Sequence, residues 1–302
     1  VPEPTVGRVL AALLVAVALT LVSPLHVLLW SPLLLGVPHV LGDVRLLVTS
    51  PVVPVHVRAH LAMAAPLAGL VASRAVGLTD GVDRTSAEVL LGVLAVVAGL
   101  STGPGTLARR ALVGLAAGLL ALLAWLAPST LALGFGHVHN LVGLSALVWW
   151  TRGSRWSWTL LGGSIGLGAL VLSGAVDAWL TGLAPGAMVS GLGADGLRSS
   201  LAPGLSDAVA VRVVATYALL QLMHYAVWVV FAPPIAGPLR LPPWMIALLA
   251  AACFALPVAA WSAPASVRAS YLALVLFHGW LELAVIGHQL VRGSELARGR
   301  DG

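Results

Sequence analysis

The sequence predicts an all-α fold, a polytopic integral membrane bundle of roughly ten transmembrane helices (eight to ten), and three observations carry that prediction. Of 302 residues, 59% are hydrophobic and only 9% charged, with a mean hydropathy of +1.00; soluble proteins carry about 25% charged residues. Apolar stretches of about 20 residues recur between short polar links, the length a helix needs to cross hydrocarbon. The runs do not alternate, which excludes the strand pattern of a β-barrel. The net charge of +5 comes from sixteen arginines placed mostly singly near helix ends, a topological signal rather than a nucleic-acid surface. The single Cys253 excludes an intrachain disulfide framework and is expected in the core.

Val9 to Val22 follows Arg8 without an A-x-A-type cleavage site before the next apolar run, so it reads as the first span rather than a signal peptide. Leu25 to Val48 is the second span, with a kink expected at Pro38, which lacks an N–H and crowds the Leu34 carbonyl. Further spans run from Ala59 to Val76, Ala87 to Leu100, Leu107 to Leu126, Thr130 to Trp150 and Trp158 to Leu180. Residues 182–208, rich in Gly, Ala, Ser and Pro, read as a long non-helical or re-entrant loop. Val209 to Phe231, Trp244 to Trp261 and Val267 to Val291 complete the set.

Placing the N-terminus in the cytoplasm puts eleven of the sixteen arginines inside: Arg8, Arg45, Arg58, Arg109, Arg110, Arg152, Arg155, Arg240, Arg292, Arg298 and Arg300. Arg74, Arg84, Arg198, Arg212 and Arg268 fall outside. Both termini are therefore expected in the cytoplasm, the membrane being a bacterial inner membrane. Short links and the absence of an internal repeat predict one transmembrane domain over 1–302.

Four spans carry polar residues that hydrocarbon should expel. A charged side chain at mid-membrane costs at least about 2.5–3.5 kcal/mol on insertion scales, which makes such residues candidates for function. His39 and Asp43 are four apart and share a helix face; His278 and Glu282 repeat the pattern. Tyr217, Gln221 and His224 form a stripe, and Tyr271 extends that of His278. His137 and His139, two apart, point to nearly opposite sides, so one of them faces the common centre; Asn140 shares a side with His137. From the outer end, His39, His224 and His278 lie about 17–22 Å deep and His137 and His139 about 10–14 Å. Asp177 is expected near a cavity mouth, and His26, His56, His60 and His288 at interfaces.

Histidines at similar depth suit a metal that prefers imidazole, such as iron, copper or zinc. Carboxylates one turn away can ligate or orient the rings, and the same set can relay protons. Spacing alone leaves a metal site, a proton relay and a set of interhelical hydrogen-bond staples open.

No H-E-x-x-H, G-x-S-x-G, Walker lysine or H-x-x-H-H box is present. At Gly36-Val37-Pro38-His39 and Asp43 the sequence resembles the G-[IL]-P-H-G-x-x-D motif of the bacteriorhodopsin-related-protein family, the bacterial membrane β-carotene dioxygenases that form retinal. Phe135-Gly136-His137-Val138-His139, Met223-His224-Tyr225 and Phe277-His278-Gly279-Trp280-Leu281-Glu282 stand in the order of that family's later histidine motifs. The chain departs from the family at Val40 (a glycine there), Trp228 (a second histidine) and Glu282 (an aspartate).

The resemblance implies a membrane metal-dependent oxidoreductase, a non-haem iron dioxygenase acting on a carotenoid-like or other lipophilic substrate within the bilayer. On that reading His39, His224, His278 and one of His137 and His139 hold the metal. Asp43 and Glu282 orient or complete the ligand shell, and Tyr217 and Gln221 line the cavity. The rival expectations are a haem- or copper-binding electron-transfer or assembly protein, a proton-coupled transporter and a structural subunit.

Overall fold

The computed structural model describes residues 5–49, 57–101, 106–151, 153–233 and 243–292, and these are almost entirely helical. Five helical segments are long and apolar enough to cross a membrane: Pro24–Leu47, Arg58–Asp80, Pro128–Trp150, Asp207–Phe231 and Pro264–Val291. A sixth exists if Arg155–Leu172 and Asp177–Leu183, bent by 87° at their junction, form one broken span. The remaining apolar helices are shorter. A 17-residue helix such as Val6–Val22 or Thr85–Ser101 reaches only about 26 Å, less than the ~30 Å of hydrocarbon, so ten full-length spans are not what the helix lengths deliver. His56, Arg152, Arg240, Arg298 and Arg300 lie outside the described residues.

The chain divides into two compact units where the sequence reads as one domain. The first comprises Val1–Gly42 and Asn140–Leu272. Helix α1 (Val6–Val22) starts with Thr5 Oγ1 accepting from the Arg8 N–H at 3.3 Å, a side chain meeting one of the four orphan donors of a helix start. It packs on α7 (Arg155–Leu172) and α9 (Asp207–Ala226), where Gly163 leaves room for Leu13. Leu25, Leu28, Val171, Leu180, Leu183, Leu197 and Val214 form its core. Helix α2 (Pro24–Val44) runs through both Pro32 and Pro38 and continues as a π-helical turn, Arg45–Thr49; α9 likewise continues as Val227–Phe231.

The segment 182–208, expected as a non-helical or re-entrant loop, carries structure of its own. A 3₁₀ turn (Asp177–Leu183) leads into a two-stranded hairpin, Met188–Val189 paired with Leu192–Gly193, and then α8 (Ala194–Leu201). The Asp195 carboxylate explains the stop: it accepts from the Gly186 N–H at 3.0 Å and pairs with Arg198. Asp177 is no isolated carboxylate either; Arg212 Nε reaches its two oxygens at 3.0 and 3.1 Å.

The second unit comprises Asp43–His139 and Ala273–Gly302. Helices α3 (Val57–Asp80), α4 (Thr85–Ser101) and α12 (Phe277–Arg292) pack on one another, with α5 (Leu107–Leu126) against α4 and α12. Gly92 and Gly99 permit these approaches: a Cβ on Gly92 would overlap the Trp280 indole, and one on Gly99 would press on the Ala284 carbonyl. Arg74 Nε and Glu88 Oε2, 2.6 Å apart, tie α3 to α4. The span read as Val267 to Val291 is two helices, α11 (Pro264–Val275) and α12, interrupted at Leu276. Helices α6 (Pro128–Trp150) and α10 (Pro243–Ala259) complete the set. Cys253, expected in the core, is half-buried, and His288, expected at an interface, is buried and donates from Nδ1 to the Gly99 carbonyl at 2.9 Å.

Candidate metal sites

In the first unit, α2 and α9 bring His39 and His224 together. Their Nε2 atoms are 2.8 Å apart, the rings meet edge to face at 67°, and both residues are 1% exposed. The Tyr225 ring covers His39 with centroids 4.8 Å apart, and the Tyr225 hydroxyl accepts from Gln221 Nε2 at 3.2 Å. Gln221 is buried, and Tyr217 continues the same face half-buried. Trp228 is fully buried with its ring 6.3 Å from that of His224; it supplies packing where the resembled family has a further imidazole. Tyr225 was not singled out by the sequence reading, although the signal was present: Tyr217, Gln221 and Tyr225 follow one another at four-residue steps on one helix face.

In the second unit, His139 on α6 and His278 on α12 meet at an Nε2 to Nε2 distance of 3.1 Å. His139, not His137, makes this pairing; the stacked rings of Phe135 and Trp280, 4.3 Å apart, lie alongside, and Gly279 leaves room for both Phe135 and His139. Glu282 is fully buried, with Oε2 3.1 Å from His139 Nδ1. His278 Nδ1 donates to the Val275 carbonyl at the break between α11 and α12, which places the proton on Nδ1 and leaves Nε2 as an acceptor. Asp43 is fully buried, within electrostatic reach of Glu282, and neither of its oxygens has a hydrogen-bond partner among the described residues.

Proton counting exposes a conflict in this second group. With the His278 proton on Nδ1 and Glu282 ionised, a neutral His139 cannot satisfy both neighbours. A proton on its Nδ1 faces Glu282 but sets two Nε2 lone pairs against each other at 3.1 Å; a proton on Nε2 bonds His278 but turns a lone pair toward the carboxylate. Two things remove the conflict: a proton on Glu282, or a cation on the Nε2 side, which also offsets the burial of ionised Glu282 and Asp43, whose charge is costly in a low-dielectric interior. The spacing fits as well. Two imidazoles bound to one ion at about 2.0–2.1 Å hold their nitrogens about 2.9–3.4 Å apart for ligand angles of about 90–109°. The donor set, imidazole with carboxylate, suits iron, zinc or copper. His39, His224, His139, His278 and Glu282 all belong to groups of residues that could hold a metal ion.

No protein-family model matches the chain, and no curated protein or solved structure matches it.

Proposed function

We propose that this protein is an integral membrane metal-dependent oxidoreductase, a non-haem iron oxygenase that acts on a lipophilic substrate, carotenoid-like or lipid, within the bilayer. The observation that supports it best is the conflict at His139: two ring nitrogens face each other beside two buried carboxylates, an arrangement that a bound cation relieves. The resemblance to the bacteriorhodopsin-related-protein family at Pro38, His39 and Asp43 supports iron as the metal and β-carotene as the first substrate to try. Bound iron would supply the redox chemistry that activates dioxygen. The chain's own residues hold and shield a candidate site in each unit. His39 and His224 offer Nε2 in the first unit, His139 and His278 in the second, where the Val275 carbonyl orients His278 and Glu282 lies 3.1 Å from His139 Nδ1. Trp228 and Trp280, both buried, help to exclude water. The shorter apolar helices complete about ten membrane passages, with both termini in the cytoplasm of a bacterial inner membrane.

The test is metal analysis and an optical spectrum of the detergent-purified protein, followed by aerobic incubation with β-carotene before and after chelation. The reading expects iron without a Soret band, and cleavage products that disappear on chelation and return with ferrous iron. A Soret band would replace it with a haem protein, and full activity of metal-free protein would overturn it.

A further inference from the structure

Arg268 sits one turn into α11, in a segment apolar enough to cross a membrane, and it has no carboxylate partner among the described residues. Its single hydrogen bond among the described residues has a clear cause. Pro32, four residues after Leu28, has no N–H to give the Leu28 carbonyl, and Arg268 Nε donates there instead at 2.5 Å. That bond uses one of the five guanidinium N–H groups. The remaining fork lies within electrostatic reach of the Tyr217 and Tyr225 phenols, and Tyr225 in turn carries Gln221 on its hydroxyl and covers His39 with its ring. The two helices that Arg268 joins also wall a cavity of about 700 Å³. Trp30, two residues after Leu28, comes from α2; Pro264, Ala265 and Ser266 come from the start of α11; Trp261, Ser262, Ala263 and the hairpin residues Ser190 and Gly191 complete it.

A guanidinium with one hydrogen bond among the described residues, in electrostatic reach of two phenols and two residues along α11 from the Ser266 that lines the cavity, matches an oxyanion at the end of an apolar chain. We propose that Arg268, with Tyr217 and Tyr225, binds the anionic head of an acyl amphiphile, a carboxylate or a phosphate, whose chain lies along the Trp30 and Trp261 cavity. Arginine suits this task because its planar fork meets either oxyanion with two parallel hydrogen bonds. The inference rests on the reading of a lipophilic substrate but not on the metal. Of the carotenoid-like and lipid substrates of that reading it selects the lipid amphiphile, since β-carotene has no polar head and would leave Arg268 unengaged.

Chelator-treated protein, so that loss of metal does not enter, is titrated in neutral detergent with brominated oleate and with its methyl ester, tryptophan quenching being the readout. A parallel arm uses nanodiscs of neutral lipid with and without brominated phosphatidylglycerol. The wild-type protein binds the acid saturably and more tightly than the ester, and Arg268→Gln, whose amide still reaches the Leu28 carbonyl, weakens acid binding at least about tenfold while leaving the ester unchanged. Arg268→Lys keeps the charge but not the fork and falls between. Arg268-dependent quenching by phosphatidylglycerol alone identifies the head as a phospholipid phosphate. Equal affinity for acid and ester, or an unchanged Arg268→Gln in both arms, overturns the proposal; an unchanged thermal melt of Arg268→Gln shows that it folds.

Discussion

His39 and His224 meet Nε2 to Nε2 at 2.8 Å, and His139 and His278 at 3.1 Å, yet the two pairs stand in different electrostatic surroundings. Behind the first is an aromatic ring, Tyr225, and a neutral amide, Gln221. Behind the second are the Val275 carbonyl and the Glu282 carboxylate, with Asp43 in electrostatic reach. A proton on one Nε2 bonds the first pair without any charge. In the second pair His278 Nδ1 is bonded from behind and Glu282 lies beside His139 Nδ1, so that an ionised Glu282 calls for positive charge in front. Equal spacing of imidazoles therefore does not mean equal need for a cation; what lies behind the rings decides it.

The largest expected effect breaks the second pair. His139→Ala removes a nitrogen ligand and leaves Glu282 buried without its imidazole, so metal affinity falls by at least about 100-fold, read by competition with a coloured chelator. Metal removal from the unaltered protein gives the matching test. Amide exchange should accelerate first in α12, where His278, Glu282 and the Leu276 break lie, and later in α9 around His224. Equal loss of protection in the two helices would erase the contrast. Next in size is Glu282→Gln, which keeps the volume but removes the charge at His139 Nδ1; metal affinity drops about 10–100-fold.

How far the residues themselves announced this contrast depends on the length scale of each feature. Local periodicity sufficed for the helices: Leu107–Leu126 matches its apolar run end to end, and the His278 and Glu282 pairing followed from a four-residue step. Choices made by tertiary packing were not readable. His137 and His139 are both imidazoles in an apolar helix, and only the seating of His139 beside Gly279 separates them. A stripe rule placed Tyr217 and Gln221 on the face of His224 but stopped one turn short of Tyr225, because Tyr225 sits next to His224 in sequence and about 100° around the helix from it. Backbone irregularities left still less trace. Neither the π-helical turns after Val44 and Ala226 nor the break at Leu276 carries a Gly or Pro at the site; each depends on how neighbouring helices are accommodated. The bend after Leu172 did carry one, Gly174 at φ +84°, packed against the Arg212 guanidinium.

A smaller effect sharpens the first pair. Tyr225→Phe keeps the ring over His39 and deletes only the hydroxyl that accepts from Gln221. A single neutral hydrogen bond contributes about 0.5–1.5 kcal/mol, so the variant should lose about that much stability in a denaturation curve while its metal affinity stays close to that of the parent. A loss comparable to that of Glu282→Gln would mean that the Tyr225 hydroxyl tunes the metal as strongly as the carboxylate does.

The smallest effect comes from a carboxylate that serves as a counterpart to Glu282. Asp195, at the start of α8, faces a guanidinium where Glu282 faces an imidazole, and its side chain is 60% exposed whereas that of Glu282 is 0% exposed. The Arg198 guanidinium, and after it the Gly186 amide, hold the Asp195 carboxyl below the usual carboxylate range. A group whose folded value is depressed stabilises the fold fully above its unfolded value of about 3.9 and loses that contribution as the pH falls through the lower folded value. The Gly186 amide resonance should therefore move in an acid titration below about pH 4, and Asp195→Asn should abolish the movement. Because the pair is open to water and screened by salt, the melting temperature should change little on Asp195→Asn, and less still at high ionic strength. The loss of metal affinity in Glu282→Gln should not respond to salt in this way, since solvent ions do not reach a fully buried carboxylate. Equal salt sensitivity of the two variants would show that Glu282 is hydrated, and the need for a cation at His139 would then lose its electrostatic basis.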